Sequence, residues 1–194
     1  IQSNNKSQEL IMKKTIKKAF GIFLFPIIMV GAIHLSNDVG SIIGSGSSKN
    51  GDVFPVIAQE FNIHISDEIS DGRTIEVSIP VKKITTENWM RDKHMQMAIF
   101  DNEFPNIVFR ANTLLPIQPG NIELDGTLTI NGKDRKHQLD LLLETVNGGI
   151  SIKGNTQISL KEYGIKAPGM GPMKVFDLVL IDFDLKILDS QIIS

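Results

Sequence analysis

The stretch IELDGTLTING, residues 122–132, decides the fold class. Its apolar residues, from Ile122 to Ile130, alternate with polar ones, and the pair Asn131-Gly132 ends it. A period of two is typical of a strand with one buried face and one wet face, as in antiparallel sheets. Asn-Gly between two alternating segments is a strong signal for a tight hairpin. The stretch therefore predicts an antiparallel strand that turns directly into a second one.

The same alternation recurs along most of the chain beyond residue 60. Turn signals separate the alternating segments, among them the triplet Asn147-Gly148-Gly149. Seven or so closely spaced strands favour a sandwich or a barrel, so the sequence predicts an all-β domain. The further alternating segments are 61–65, 75–81, 107–111, 137–145, 150–160 and 179–187.

One helix is predicted in this β-rich sequence. Asn88 is a suitable N-cap, and Met90, His94 and Met97 would share one helix face. Pro105 disfavours the α conformation of the residue before it, so the helix should end upstream. The segment predicts a helical crossover between two strands.

The composition and charge of the chain exclude several classes of function. The 194 residues suit one domain with a substantial core. Residues 1–32 carry five lysines and one glutamate, whereas the remainder carries 15 basic and 21 acidic residues. The remainder has no basic block, so we expect no nucleic-acid partner. The absence of cysteine excludes disulfides, thiolate catalysis and Cys-ligated metals.

The N-terminal segment has the pattern of an export signal. Lysines at 13, 14, 17 and 18 precede the apolar run Ala19–Ala32. A basic region, a short apolar run and a small-residue site define a secretory signal, and the run is short for a membrane span of about 20 residues. We expect residues 12–32 to be a signal peptide, with an uncleaved membrane anchor as the alternative. Residues 1–11 would then be upstream or cloning-derived sequence.

The next stretch, residues 33–50, is rich in Gly and Ser. It is either a flexible linker or the start of the first strand, and the sequence does not separate the two. Residues 51–194 are predicted to form the folded β domain.

Four motifs in this order resemble the YceI-like family. Residues 91–109, RDKHMQMAIFDNEFPNIVF, are similar to the family signature R-D-x-H, F-D and P-x-I-x-F. Residues 124–132 resemble its G-x-L-T-I-x-G strand and turn. Residues 154–165 and 175–187 resemble its later strands, so the resemblance spans about residues 75–187.

The resemblance implies an eight-stranded, antiparallel, lipocalin-like barrel with a short helical crossover near residues 88–104. It implies a periplasmic protein, or one held at the inner membrane by an uncleaved N-terminus. It also implies an isoprenoid or fatty-acyl lipid as partner, and it is compatible with membrane proximity and with a homodimer. An envelope module with a fully packed barrel and no ligand is the alternative.

Inward-facing apolar residues would line the lumen for such a lipid. Methionine suits irregular lipid tails because it is unbranched and polarizable, although the same residues could instead form an ordinary core. The candidates are Trp89, Met90, Met95, Met97, Phe100, Phe109, Leu128, Leu141, Ile152, Val179, Ile181 and Phe183.

Three polar residues at the crossover have two interpretations. Arg91 and His94 could bind a phosphate or carboxylate head group. Alternatively, Arg91, Asp92 and His94 form a structural cluster in which Asp92 accepts hydrogen bonds from the backbone. No known catalytic motif occurs, and the four histidines are scattered, so we expect no catalytic residue, no metal and no cofactor.

Overall fold

The structure is a computed structural model, and the segment predicted as a signal peptide or anchor, residues 12–32, lies outside the part that it describes. Phe100 lies outside it as well. In the described part, no helix has the length and apolar character needed to cross a membrane. The described residues are 40–65, 72–99, 103–113, 118–169 and 171–188.

Strands and one helix make up the described domain. The helix, α1, spans Trp89–Ile99, and three short 3-10 turns occur at Val81–Lys83, Leu160–Tyr163 and Gly171–Met173. The strands are β1 (Gly40–Ser47), β2 (Val53–Ala58), β3 (Asn62–Ile65), β4 (Arg73–Pro80), β5 (Ile84–Thr85), β6 (Asn106–Thr113), β7 (Gly120–Ile130), β8 (Lys133–Val146), β9 (Gly149–Ser159) and β10 (Leu178–Leu188).

All ten strands form one antiparallel sheet that curls into a half-barrel. Their order is β3-β4-β6-β7-β8-β9-β10-β1-β2-β5, so the first described strand pairs with the last. The all-β, lipocalin-like prediction is confirmed, but the strand number is ten rather than eight. The difference arises before α1, where the chain is divided into five strands, two of them only four and two residues long.

The hairpin predicted at Asn131-Gly132 is confirmed. Ile130 pairs with Lys133, which leaves a two-residue loop between β7 and β8. Asn131 has φ 51° and Gly132 has φ 68°. Positive φ at both central residues is the type I′ geometry, whose twist matches that of the flanking strands.

The Gly/Ser-rich stretch contributes a strand. Residues 40–47 form β1, and Gly44 and Gly46 lie where bulky neighbours approach the backbone closely. A Cβ on Gly44 would lie 2.8 Å from the Ile181 side chain and 3.1 Å from the Leu180 carbonyl oxygen. Small residues in β1 therefore allow it to pack between β10 and β2.

Two apolar clusters occupy the interior of the curled sheet. Leu141 and Leu143 of β8 belong to the first, and Leu128 and Ile130 of β7 belong to the second, next to Tyr163. Because β7 and β8 are antiparallel, these pairs lie towards opposite ends of the strands. The space between the clusters is where an apolar ligand could enter.

Candidate functional site

An apolar cavity of about 220 Å³ lies inside the curled sheet. Side chains from every strand except β3 reach it, together with α1 and the segment between β9 and β10. Its lining is predominantly apolar, and the polar residues in it are Thr86, Arg91, His137 and Thr156. Ligand sites for small molecules are commonly about 300–1,000 Å³, whereas a dry cavity of about 150 Å³ already binds benzene. The cavity therefore has room for part of an apolar chain.

Three phenylalanine rings of the cavity wall pack closely against glycines. A Cβ on Gly126 would come within 2.4 Å of the Phe109 ring and 2.7 Å of the Arg110 carbonyl oxygen. A larger residue at the glycine position would clash with the ring and with the backbone. The glycine therefore allows the ring to occupy its present position in the wall. The three ring–glycine pairs are Phe54–Gly46, Phe109–Gly126 and Phe183–Gly154.

Asp92 fixes α1 to the chain that precedes it. Its Oδ1 accepts the Thr86 N–H at 2.6 Å and the Thr86 hydroxyl, and its Oδ2 accepts the Thr85 hydroxyl at 2.8 Å. Thr86 is only 2% exposed. Asn88 caps the helix, since its Oδ1 accepts the N–H groups of Met90 and Arg91 at 3.1 Å. Asp92 therefore has a structural role, and the N-cap prediction is confirmed.

The inner face of α1 carries Arg91 and Met95 to the cavity. Met95 is 8% exposed and fills space in the wall. The Arg91 guanidinium carbon lies 3.9 Å from the centroid of the Phe54 ring, a cation–π contact. No carboxylate among the described residues pairs with Arg91. Arg91 is therefore a half-buried cation at the cavity wall, and none of the described carboxylates pairs with it.

The outer face of α1 is exposed to solvent, and it includes three of the predicted lumen residues. Trp89 is 74% exposed, Met90 51% and Met97 66%. His94 is also exposed, one turn beyond Met90. Met90, His94 and Met97 share a face as predicted, but that face points away from the cavity because Asp92 turns the opposite side inwards.

The strand residues predicted for the lumen divide into two groups. Leu141 and Ile152 are buried in the first apolar cluster and do not line the cavity. Sequence alternation could also have identified further wall residues, such as Ile79, Leu139 and Ile158, which occupy inward positions of predicted strands. The predicted strand residues that line the cavity, in addition to Met95 of α1, are Phe109, Leu128, Val179, Ile181 and Phe183.

One polar pair in the wall was not predicted. His137 of β8 and Thr156 of β9 both line the cavity, with 2.7 Å between His137 Nε2 and Thr156 Oγ1. Burial lowers the pKa of His137, and the nearby Glu162 carboxylate partly opposes that change. The imidazole is therefore held neutral at neutral pH, which suits an apolar cavity.

A larger depression of about 740 Å³ lies elsewhere, but it is shallow and open to solvent. Charged side chains such as Asp140, Lys153 and Asp184 line it. In the part of the chain that the structure describes, no three His, Asp or Glu residues converge in a way that could hold a metal ion. The predominantly apolar cavity inside the curled sheet is the better candidate for a binding site.

Solved structures share this architecture. BcnA of Burkholderia cenocepacia matches with a TM-score of 0.62 at 15% identity, over 76% of this chain and 96% of that chain. A polyisoprenoid-binding domain from Saccharophagus degradans matches with 0.60 at 14%, over 76% and 92%. The Campylobacter jejuni YCEI protein matches with 0.53 at 19%, over 89% and 95%. At these identities the likeness demonstrates the fold alone.

The sequence comparisons identify the family. A search of the curated proteins found no match. The family model for the YceI-like domain matches residues 43–187, most of the chain and nearly all of the described strands. The matched region begins within β1 and ends within β10, so it includes every residue that lines the cavity except Ile42. The chain therefore belongs to the YceI-like domain family.

Proposed function

We propose that this protein is an exported carrier of an amphiphilic isoprenoid or acyl lipid, with the apolar tail in the cavity. The observation that carries the proposal is the cavity of about 220 Å³ inside the curled sheet, whose wall is predominantly apolar. Family membership supports it, because a structural neighbour is a polyisoprenoid-binding domain. The lysine-rich, apolar segment at residues 13–32 supports export.

The head group of the lipid would lie at Arg91. Its guanidinium packs over Phe54 at the wall and has no carboxylate partner in the described structure. A half-buried cation is stabilised by an anion, and guanidinium matches phosphate and carboxylate oxygens geometrically. Asp92 is already occupied by Thr85 and Thr86, and His94 faces solvent, so Arg91 alone is assigned to the head group.

Mass spectrometry of organic extracts from purified protein tests the tail site. The native chain should release a prenyl or acyl lipid in repeated preparations. Val179→Phe directs a ring into the cavity and should reduce the recovered lipid severalfold, whereas Leu180→Phe, on the exposed side of β10, should not. Repeated absence of lipid from the native protein would instead favour the second candidate, an envelope module with a packed interior, which the small cavity volume supports.

A pair of ligands tests the head-group site. A prenyl phosphate should bind the native protein more tightly than the prenyl alcohol of the same length. Hydrogen bonds to charged groups contribute about 1.5–3 kcal/mol, so Arg91→Gln should weaken the phosphate about tenfold to hundredfold. The alcohol should bind both proteins alike, and Arg91→Lys should recover part of the difference. If the native protein and Arg91→Gln bound the prenyl phosphate with equal affinity, Arg91 would be excluded as the head-group residue.

A further inference from the structure

The outer face of α1 is an unusual surface for a short exposed helix. We define it as Trp89, Met90, Lys93, His94 and Met97, all of which are exposed. Trp89, Lys93 and Met97 are four residues apart in one row, Met90 and His94 are four apart in the next, and the two rows lie side by side. Three large apolar side chains thus face water together. Apolar patches of roughly 300–600 Å² on soluble proteins often mark contact sites.

We propose that the α1 outer face docks on the surface of a lipid bilayer. A tryptophan has an apolar body and a polar N–H, which suits the boundary between head groups and acyl chains. Lys93 lies beside Trp89 and Met97 on this face, and a lysine can lay its apolar stem along such a surface while its ammonium reaches anionic head groups. This inference goes beyond the lipid-carrier function and does not require the cavity to be occupied.

The α1 outer face itself carries basic side chains and no acid, which complements anionic head groups at close range. The one carboxylate in α1, Asp92, is turned inwards to Thr85 and Thr86. The outer face consequently keeps Lys93 and His94 and has no acid. Because the chain beyond residue 32 is acidic as a whole, the apolar contacts, rather than long-range attraction, would supply most of the docking energy.

The position of α1 between the proposed docking surface and the cavity connects docking with lipid uptake. The opposite side of α1 carries Arg91 and Met95, which line the cavity. A helix that contacts the bilayer on one side and the cavity on the other separates the two by its own thickness, about 10 Å. A lipid tail could then leave the membrane beside α1 and enter the cavity without crossing bulk water.

Trp89 allows a direct test, because it is the one tryptophan of the chain. The full chain is mixed with vesicles of equimolar phosphatidylcholine and phosphatidylglycerol, and tryptophan emission is recorded. We expect a blue shift, and quenching when the phosphatidylcholine carries brominated acyl chains. The apolar run at residues 19–32 is common to all variants and could itself bind vesicles, so the fluorescence of Trp89 is the readout rather than sedimentation.

Variants test whether the α1 outer face, rather than another surface of the protein, contacts the vesicles. Met90→Ser with Met97→Ser keeps the tryptophan and should reduce the quenching at limiting lipid about tenfold or more, because two exposed apolar side chains are lost. Lys93→Glu should weaken it less, and mainly at low salt. Leu180→Gln removes an equally exposed apolar side chain from β10 and should change nothing. Equal circular dichroism would confirm that each variant is folded.

The following results would overturn the proposal. One is an unshifted emission of the native chain with vesicles, and another is undiminished quenching in the double methionine variant. A blue shift that depends on protein concentration without vesicles would show that a second copy covers the face instead. Val179→Phe, which blocks the cavity, should lose extracted lipid but keep the vesicle signal, so docking and lipid carriage can fail separately.

Discussion

Replacing Asp92 with alanine should detach α1 from the segment that holds it. The carboxylate accepts three hydrogen bonds, two from the buried Thr86 and one from Thr85. A buried donor left without an acceptor costs about 1–3 kcal/mol. The Thr85 hydroxyl can turn to water, so the two donors of Thr86 dominate. We expect a loss of about 2–4 kcal/mol in the free energy of unfolding.

Urea unfolding followed by far-ultraviolet circular dichroism measures this loss. In a domain of this size a loss of 2–4 kcal/mol lowers Tm by roughly 5–15 °C. Asp92→Asn keeps one acceptor oxygen for the Thr86 N–H and should lose about half as much. Asp125→Ala, an exposed acid on β7, is the matched control and should change stability by less than about 0.5 kcal/mol. Equal stabilities of Asp92→Ala and Asp125→Ala would refute the structural role of Asp92.

Three further substitutions probe the cavity wall. Met95→Ala should lose about 2–4 kcal/mol of stability and enlarge the cavity, seen as faster uptake of a fluorescent fatty acid. Gly126→Ala should lose about 1–3 kcal/mol in urea unfolding, because its Cβ would meet the Phe109 ring and a rigid carbonyl. Burial lowers the pKa of His137 below 6.5, so the unfolded chain binds more protons than the native one as pH falls below that value. Stability should therefore drop on acidification from about pH 7.5 to about pH 5.5, and His137→Gln should lose that part of the drop, compared by urea midpoints.

The strands after α1 could be predicted from the sequence because each has one buried and one wet face. Period-two alternation reports this arrangement directly, and β7 to β10 are long enough, at 11 to 14 residues, for it to stand out. The Asn131-Gly132 pair also fixes the pairing of β7 with β8 through backbone conformation that few other residues adopt. Side-chain alternation and turn geometry, which are both local features of the sequence, were therefore sufficient to predict β7 to β10.

Two strands before α1 were missed for physical reasons. β2 reads Val53-Phe54-Pro55-Val56-Ile57-Ala58, which is nearly continuous apolar sequence with a proline. Proline is tolerated there because β2 pairs with β5 at only two positions and is otherwise close to the sheet edge. β5 has two residues and no period of its own, so only its long-range pairing with Ile57 and Ala58 makes it a strand.

The rotation of α1 about its axis could not be read from the sequence either. Methionines occur on both sides of the helix, so apolar periodicity does not choose a buried face. The hydrogen bonds from Thr85 and Thr86 to Asp92 make the choice, and they depend on how the preceding turn folds. Glu87 adopts φ 58° in that turn, a conformation that few non-glycine residues take and that no sequence pattern indicated.

The size of the cavity links these residues to lipid exchange. At about 220 Å³ it holds more than a benzene-sized group but less than a long isoprenoid or acyl chain. A longer tail must displace something in the wall, and the strands are constrained by their ladders and by the ring–glycine contacts. Met95 is the most adaptable apolar side chain in that wall, since methionine has three rotatable bonds. Because Met95 is carried by α1, and Asp92 holds α1 in place, the strength of that hydrogen-bonded contact should determine how readily the cavity accepts a tail.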